Sequence, residues 1–490
     1  MSKKTKVLFF LVLISGSFGC FQNKEKELVP ISSSPSLEKT EQKAFNSNLF
    51  AQKEIPSEWW KIFADSQLDA LIEKGLLLSP TLKKAETKIV EAQASAKSVR
   101  SRLFPTLYAN AEDNWQYLSK YGFFRDFFPT APGVVVPSKF NEIDLSLNFS
   151  YELDFFGKNQ KMLKSALGLA LAEEMEKEEA KLILCTAIAF AYFQWQTHFA
   201  ELILLSQKVS AEKQLVQLST SRYKEGLDNI TAKLHTEKEL GKLSIEILNL
   251  EKEIEIDEFF LKNLIGEGPE AKINLVFAWN PGAKQAYLPG NLNLDLLAQR
   301  PDVRAQIWRV EAARQDIGVA KTEFYPNANL IALAGLSSLT FSHLLDWASR
   351  IGSLNPAIHL PLFTGGKLEA NLKGKEALFN EAVYDYNTLL LKAAQEVSTE
   401  ITNFLSIEKQ LALEKEQIHL QKNLFDVATS RFKQGLDIYA STLYSKIELL
   451  SEEIYEVHLK QYKIFTLIRM IKALGGGFSK EEIGEARWNP

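Results

Sequence analysis

The chain repeats itself, and that repetition limits what it can become. Ser79-Pro80-Thr81-Leu82 leads through a helical stretch to Leu103-Phe104-Pro105; Arg300-Pro301-Asp302-Val303 leads likewise to Phe324-Tyr325-Pro326, with the two prolines 25 residues apart in both copies. Thr220-Ser221-Arg222-Tyr223-Lys224-Glu225-Gly226-Leu227-Asp228 returns as Thr429-Ser430-Arg431-Phe432-Lys433-Gln434-Gly435-Leu436-Asp437, and Phe156-Gly157-Lys158 is answered by Gly365-Gly366-Lys367. Repeats of this size describe two structurally equivalent halves rather than a string of different domains.

Within each half the hydrophobic period changes. Helical periodicity runs from Gln67 to Leu103, interrupted at Ser79-Pro80, where proline suits an early helical position. Glu58-Trp59-Trp60-Lys61-Ile62-Phe63 precedes it, with Asp65 or Ser66 placed to cap the first helix. Ile143, Leu145, Leu147, Phe149, Tyr151 and Leu153 then alternate with Asp144, Ser146, Asn148, Ser150, Glu152 and Asp154, a strand apolar on one face only. Its partner is Thr106 to Tyr117, across an aromatic loop from Lys120 to Phe140. The second copy predicts strands at Ala328 to Leu336 and Leu354 to Phe363, the last weakened by Pro356 and Pro361. After each hairpin comes a helical run, Asn159 to Lys224 and Leu368 to Lys433, each about 100 Å long if continuous. A glycine turn comes next at Gly226 or Gly435, and a return helix runs to Leu264 or Leu474. Helices of this length point to coiled-coil packing. A lone hairpin is marginal in water and leaves unpaired edges. Four strands with one apolar face make sense when several chains close a barrel with lipid outside and water inside.

Charge and the N-terminus narrow the location. Net charge is −4 over 490 residues, and losing a leader that holds Lys3, Lys4 and Lys6 brings the mature chain to about −7. That sign argues against nucleic acid as a partner, because phosphate binding needs a basic patch. The lysines precede the apolar run Val7 to Ile14 and the mostly small residues up to Gly19-Cys20, the pattern of a secretory signal. Cys20 stands just after a cleavage region that looks like a bacterial lipobox, although Ser17 and Phe18 depart from it; ordinary cleavage that leaves Cys20 unmodified is the alternative. Cys185, the only other cysteine, lies in an apolar helical stretch and reads as a small buried residue, so no disulfide framework is expected.

Catalysis finds little support. The six histidines, His198, His235, His343, His359, His419 and His458, form no i, i+4 pair, and no phosphate loop or metal-ligand cluster is present. No cofactor or metal is expected, and the carboxylates read as solvated helix faces paired with lysines one turn away.

Taken together and in order, these residues resemble the outer-membrane efflux proteins, the TolC-like trimeric channels, in particular their lipoprotein subgroup. The resemblance rests on Trp59-Trp60 with Leu68-Asp69, Pro80 with Leu82 and Ala85, and Tyr151 through Lys158. Arg300-Pro301-Asp302-Val303-Arg304, Ile317-Gly318-Val319-Ala320 before Phe324-Tyr325-Pro326, and Pro361-Leu362-Phe363 before Gly365-Gly366-Lys367 add to it, as do the two tips and Ala473-Leu474-Gly475-Gly476-Gly477-Phe478. It covers roughly residues 50 to 478.

The resemblance implies a mainly α chain with a small β part: a long α-helical barrel, and four strands per chain contributed to a trimeric 12-stranded transmembrane barrel. The division expected is a signal peptide (1–19), a lipid-anchored arm (20–55), a first repeat (56–265, hairpin 106–154, tip at 226), an equatorial connector (266–293), a second repeat (294–474, hairpin 328–363, tip at 435) and a C-terminal tail (475–490). It also implies a homotrimer in outer-membrane lipid acting as a passive exit duct. An inner-membrane transporter and a periplasmic adaptor would complete a tripartite efflux or type I secretion system. By position, Asp437 and its repeat partner Asp228 would ring the periplasmic gate, although Ser441 and Tyr444 stand where some members carry a further aspartate. Arg222, Tyr223, Gly226 and Leu227, with Arg431, Phe432, Gly435 and Leu436, would contact the adaptor, and Cys20 would carry the lipid. For each tip the plain alternatives are a C-cap turn and self-packing between tips. Trp115, Phe123, Phe124, Phe127 and Phe128 could form an interfacial belt or an extracellular lid. The competing reading of the whole is a lipid-anchored periplasmic coiled-coil scaffold or adaptor without a pore.

Overall fold

The structure, a computed structural model, describes residues 28–29, 37–46, 49–52, 55–119, 138–279, 286–288, 297 and 299–477. The signal peptide, Cys20, most of the arm, the aromatic residues Phe123 to Phe128 and the end of the tail lie outside the described residues.

In chain order the described elements begin with α1 (Glu38–Phe45), β1 (Phe50–Gln52), a 3-10 turn (Trp59–Phe63), α2 (Ser66–Leu78) and α3 (Pro80–Arg100). The first repeat continues with β2 (Thr106–Tyr117), β3 (Lys139–Leu153), α4 (Lys158–Lys224) and α5 (Ile230–Leu264). After β4 (Ala286–Leu288), the second repeat runs through α6 (Pro301–Thr322), β5 (Asn327–Ser338), β6 (Arg350–His359), α7 (Lys367–Lys433) and α8 (Tyr439–Ala473). The repeats match in length as well as order: α4 and α7 have 67 residues each, α5 and α8 have 35 each.

Local chemistry sets the boundaries. Asp65 accepts hydrogen bonds from the backbone N–H groups of Gln67 and Leu68, capping α2. Pro80 and Pro301 stand in the first turns of α3 and α6, where a missing N–H costs nothing. Gly157 and Gly366, at φ 71° and 84°, let the chain turn sharply from sheet to long helix.

β2, β3, β5 and β6 form one antiparallel sheet in that order, so β2 and β6 are its edges. The register sorts its side chains. Leu107, Phe149, Ala332 and Leu354 lie in one cross-strand row; Ala109, Leu147, Ala334 and Gly352 lie in the next row on the same face. Tyr151, Leu330 and Pro356, then Leu153, Ala328 and Ile358, extend this apolar face toward the helices. The opposite face carries Tyr108, Asn148, Leu333 and Ser353, and Thr106, Ser150, Ile331 and Asn355, polar apart from a few aliphatics on β5. Among the described residues no layer covers the sheet, and Leu107, Leu354 and Ile358 are exposed.

The last strand corrects the sequence reading. The pattern predicts it over Leu354 to Phe363, but it pairs over Arg350–His359, and β5 runs from Asn327 to Ser338 rather than Ala328 to Leu336. Pairing starts directly after the 3-10 turn at Trp347–Ser349 and stops before Pro361, which has no N–H to offer a ladder. Pro356 stands inside β6, opposite Leu330 of β5. Leu360, Leu362 and Phe363 therefore lie beyond the strand.

The main core sits midway along the helices. Trp59, Trp60, Phe63, Tyr192, Phe193 and Trp195 are buried there with Leu261, Ile468 and Met470. The Phe63 and Phe193 rings are 4.8 Å apart. Gln67 brackets the backbone of Val276, its amide donating to Val276 O at 3.2 Å and accepting from Val276 N at 2.8 Å. Gln196 does the same job beside it, donating to Val276 O and accepting from Ala278 N. Side-chain amides thus replace a strand partner and pin the connector to α2 and α4. Cys185 is fully buried in this core, as its apolar surroundings suggest.

Candidate functional site: the helical tips and the equatorial charges

Each long hairpin ends in the same device. In the first, Gly226 (φ 68°) donates to Tyr223 O at 3.1 Å and Leu227 N donates to Arg222 O at 2.8 Å. In the second, Gly435 (φ 72°) donates to Phe432 O and Leu436 N to Arg431 O, both at 2.9 Å. This is the Schellman closure, and the left-handed residue is glycine because a Cβ there is strained. Leu227 and Leu436 close their turns through their backbone N–H groups, and their side chains are left mostly exposed, at 68% and 63%. Tyr223 and Phe432 are partly exposed beside them.

The two aspartates are held by their own tips. Asp228 faces Arg222 Nε at 3.3 Å and accepts from Asn229 N; Asp437 faces Arg431 Nε at 3.5 Å and accepts from Ile438 N at 2.8 Å. The Ser441 hydroxyl also donates to Asp437, and that bond, with the Ile438 N–H and Arg431 behind it, lowers its pKa below the ordinary value. The two tips differ where the return helix begins. Asn229 caps α5 through its side chain, whereas Ile438 has no capping atom and the Asp437–Ser441 bond stands in its place. Phe432 and Tyr439 rings lie 5.0 Å apart, and Tyr439 donates to Gln214 on α4, tying one hairpin to the other.

The structure thus brings together Arg222 with Asp228, and Arg431 with Asp437, and places Tyr223, Phe432, Leu227 and Leu436 on the same end of the molecule. The sequence singles out these residues but not the pairing, and leaves the aspartates as bare carboxylates. The i, i+6 spacing of Arg and Asp, the same in both copies, is the available signal.

Sequence reasoning misses a second set of charges near the equator. Arg300, 6% exposed, makes two bonds to Asp302, at 3.1 and 2.8 Å, one to Glu396 at 2.8 Å and one to Ala473 O at 3.0 Å. One guanidinium therefore joins the start of α6, the middle of α7 and the end of α8. Nearby Glu179 has its pKa pushed up to about 7, chiefly by burial and then by Asp302, against the pull of Arg300. Farther down, nearly buried Glu414 is also raised to about 7 by burial and by Glu452. These are structural charges; among the described residues no group of three or more His, Cys, Asp or Glu could hold a metal ion.

A sheet whose apolar face and two edges are uncovered among the described residues, with 67-residue helices below it, defines a membrane duct: a β-barrel segment joined to a helical tunnel. The comparisons with known proteins agree. The family model for outer membrane efflux proteins matches residues 71–267 and 293–476, and the chain belongs to that family. It is 27% identical over 432 residues to the multidrug resistance outer membrane protein MdtP of Escherichia coli (strain K12), covering 88% of each chain. Among solved structures it resembles the outer membrane protein VceC of Vibrio cholerae, with TM-score 0.74 and 29% identity over 86% of this chain and 99% of that one. The Campylobacter jejuni CmeC outer membrane channel shares the fold, with TM-score 0.79 at 21% identity over 87% and 89%. The protein is an outer-membrane exit duct with its helices in the periplasm, and the scaffold-without-pore reading falls.

Proposed function

We propose that three copies of this chain close a 12-stranded barrel, β6 of each pairing with β2 of the next, above a 12-helix tunnel. The observation that carries this is the sheet: among the described residues its apolar face has no cover and its two edges have no partner. Cys20 anchors the assembly to the membrane through lipid, and the repeat boundaries are those read from the sequence. The duct performs no chemistry and draws its energy from an inner-membrane transporter through a periplasmic adaptor. Relatives named for multidrug resistance favour small toxic molecules as cargo over polypeptides.

The tips serve as both dock and gate. Exposed Leu227 and Leu436, flanked by Tyr223 and Phe432 and fixed by Gly226 and Gly435, offer the adaptor six apolar points on a trimer. Arg222 and Arg431 stand behind them. Asp437 and Asp228 ring the mouth, and because each is paired to its own arginine, the ring is closed by alternating charge rather than by bare carboxylates. A ring of like charges alone would repel; Arg–Asp pairs hold it shut without that penalty.

Single-channel recording in planar bilayers tests both parts. Wild-type protein is expected to conduct weakly, and the Asp228→Ala/Asp437→Ala double variant to conduct at least severalfold more. Equal conductance would remove the aspartates from the gate, and no conductance in either would remove the duct.

A further inference from the structure

The register that gives the sheet its apolar face also decides what stands at the far end of that face. On β3 the apolar residues run from Leu153, beside the helices, to Ile143. That is about 34 Å along the strand, or about 25 Å of height at the tilt of a barrel strand, which matches the lipid-facing band of such a barrel. Alternation carries the same side onward through Asn141 and Lys139, opposite Trp115 and Tyr117 of β2. On β6 the same side reads Arg350, Gly352, Leu354, Pro356 and Ile358, with Arg350 opposite Leu336. The helices lie in the periplasm, so the end that carries Arg350 and Lys139 belongs to the outer leaflet.

Two cations thus stand on the lipid side, and each rests on an aromatic ring. Lys139 Nζ lies 5.7 Å from the centre of the Trp115 ring, and the Arg350 guanidinium stacks on Trp347. Arg350 Nε donates to Trp347 O at 2.7 Å, which orients the guanidinium and leaves the fork of its two Nη groups for another partner. Both cations are exposed, Trp115, Tyr117 and Trp347 are more than half exposed, and neither cation has an ion-pair partner among the described residues. Asp113 is the only carboxylate on this side of the described strands. A cation on the lipid side is costly at mid-membrane and tolerated at the interface, where it attracts anionic headgroups.

We infer that this rim binds the phosphate of an acylated lipid in the outer leaflet. Arg350 grips the phosphate through its Nη fork, and Lys139 supplies a second, point-charge contact on the β2–β3 hairpin. Below Arg350 the β6 column of Gly352, Leu354, Pro356 and Ile358 runs beside Ala334 and Ala332 of β5, a shallow apolar trough that accepts a chain. A free phosphate would touch the cations alone. Only a molecule with chains next to its phosphate meets the cations and the trough together, and that assigns the rim to a lipid. The inference rests on the duct reading for its orientation, because a closed barrel keeps this side of the sheet outward.

Binding of fluorescent diphosphoryl lipid A to the full-length protein in a neutral detergent tests it. Arg350→Gln/Lys139→Gln is expected to bind roughly tenfold more weakly than wild type. Lys83→Gln/Lys84→Gln, which removes the same charge from exposed positions on α3, is expected to bind as wild type does. Arg350→Lys keeps the charge without the fork and is expected to fall between. Fluorescent diacylglycerol, with chains but no phosphate, is expected to bind wild type and the rim variant alike, and millimolar inorganic phosphate to leave lipid A bound. Equal lipid A affinity in wild type and the rim variant, an equal loss in the α3 variant, or full displacement by inorganic phosphate overturns the proposal. Trimer migration and lipid quenching at position 147 report on the duct separately: with both intact, equal lipid A binding removes the rim site alone.

Discussion

Arg300 shows how much one side chain can carry in this molecule. It is buried, saturates four of its donor contacts, and ties three helices of the second repeat to one point. Removing one member of a buried ion network leaves the others desolvated and unpaired. Because Asp302 and Glu396 keep some water, Arg300→Ala is expected to cost about 3 kcal/mol, the low end for such networks. Denaturant unfolding checks this, and Arg314→Ala is the control. Arg314, exposed and paired only with Glu311 one turn away, is expected to cost under about 1 kcal/mol. Glu201 raises the pKa of His458 above the ordinary histidine value, against its burial. Its raised pKa means that its contribution is fully present below the ordinary histidine value and fades as pH rises through the folded one.

Among the elements, the tips and the sheet carry function. Gly435→Ala is expected to loosen the α7–α8 turn by about 1–2 kcal/mol, the cost of a left-handed residue with a Cβ. Proteolysis after Arg431 and Lys433 is expected to quicken, and Gly226→Ala to do the same after Arg222 and Lys224. How legible these elements are depends on how local their causes are. The alternation of residues 143–153 and the glycine tips are readable because period and backbone freedom are written in adjacent residues. The pattern misplaces β6 by four residues at each end because its register is set by β5, not by its own residues. The Arg–Asp pairing at the tips sits at a spacing that no helical rule covers. Arg300, the Gln67 and Gln196 clamps and the Gln461–Gln194 bond join residues up to 267 positions apart, and no pattern in the chain announces them.

At the scale of the whole molecule, one long helix changes partners along its length. α4 packs on α3 and α6 near the sheet, on α5 toward the tip and on α8 across the repeat, so no single apolar stripe runs down it. That explains how one 67-residue helix can belong to a membrane segment, an equatorial core and a tunnel wall at once. It also explains the dependence of the whole on the sheet. The helices alone would form a coiled-coil bundle; the uncovered face of the β-strands is what places the molecule in lipid. Leu147 and Asn148 are neighbours that stand on opposite faces of β3. In a Cys185→Ala background reconstituted into liposomes, Leu147→Cys is expected to resist a water-soluble thiol reagent, and a fluorophore there to be quenched by brominated lipid. Asn148→Cys is expected to react freely and to escape lipid quenching. Equal labelling and equal quenching at the two positions would contradict the barrel.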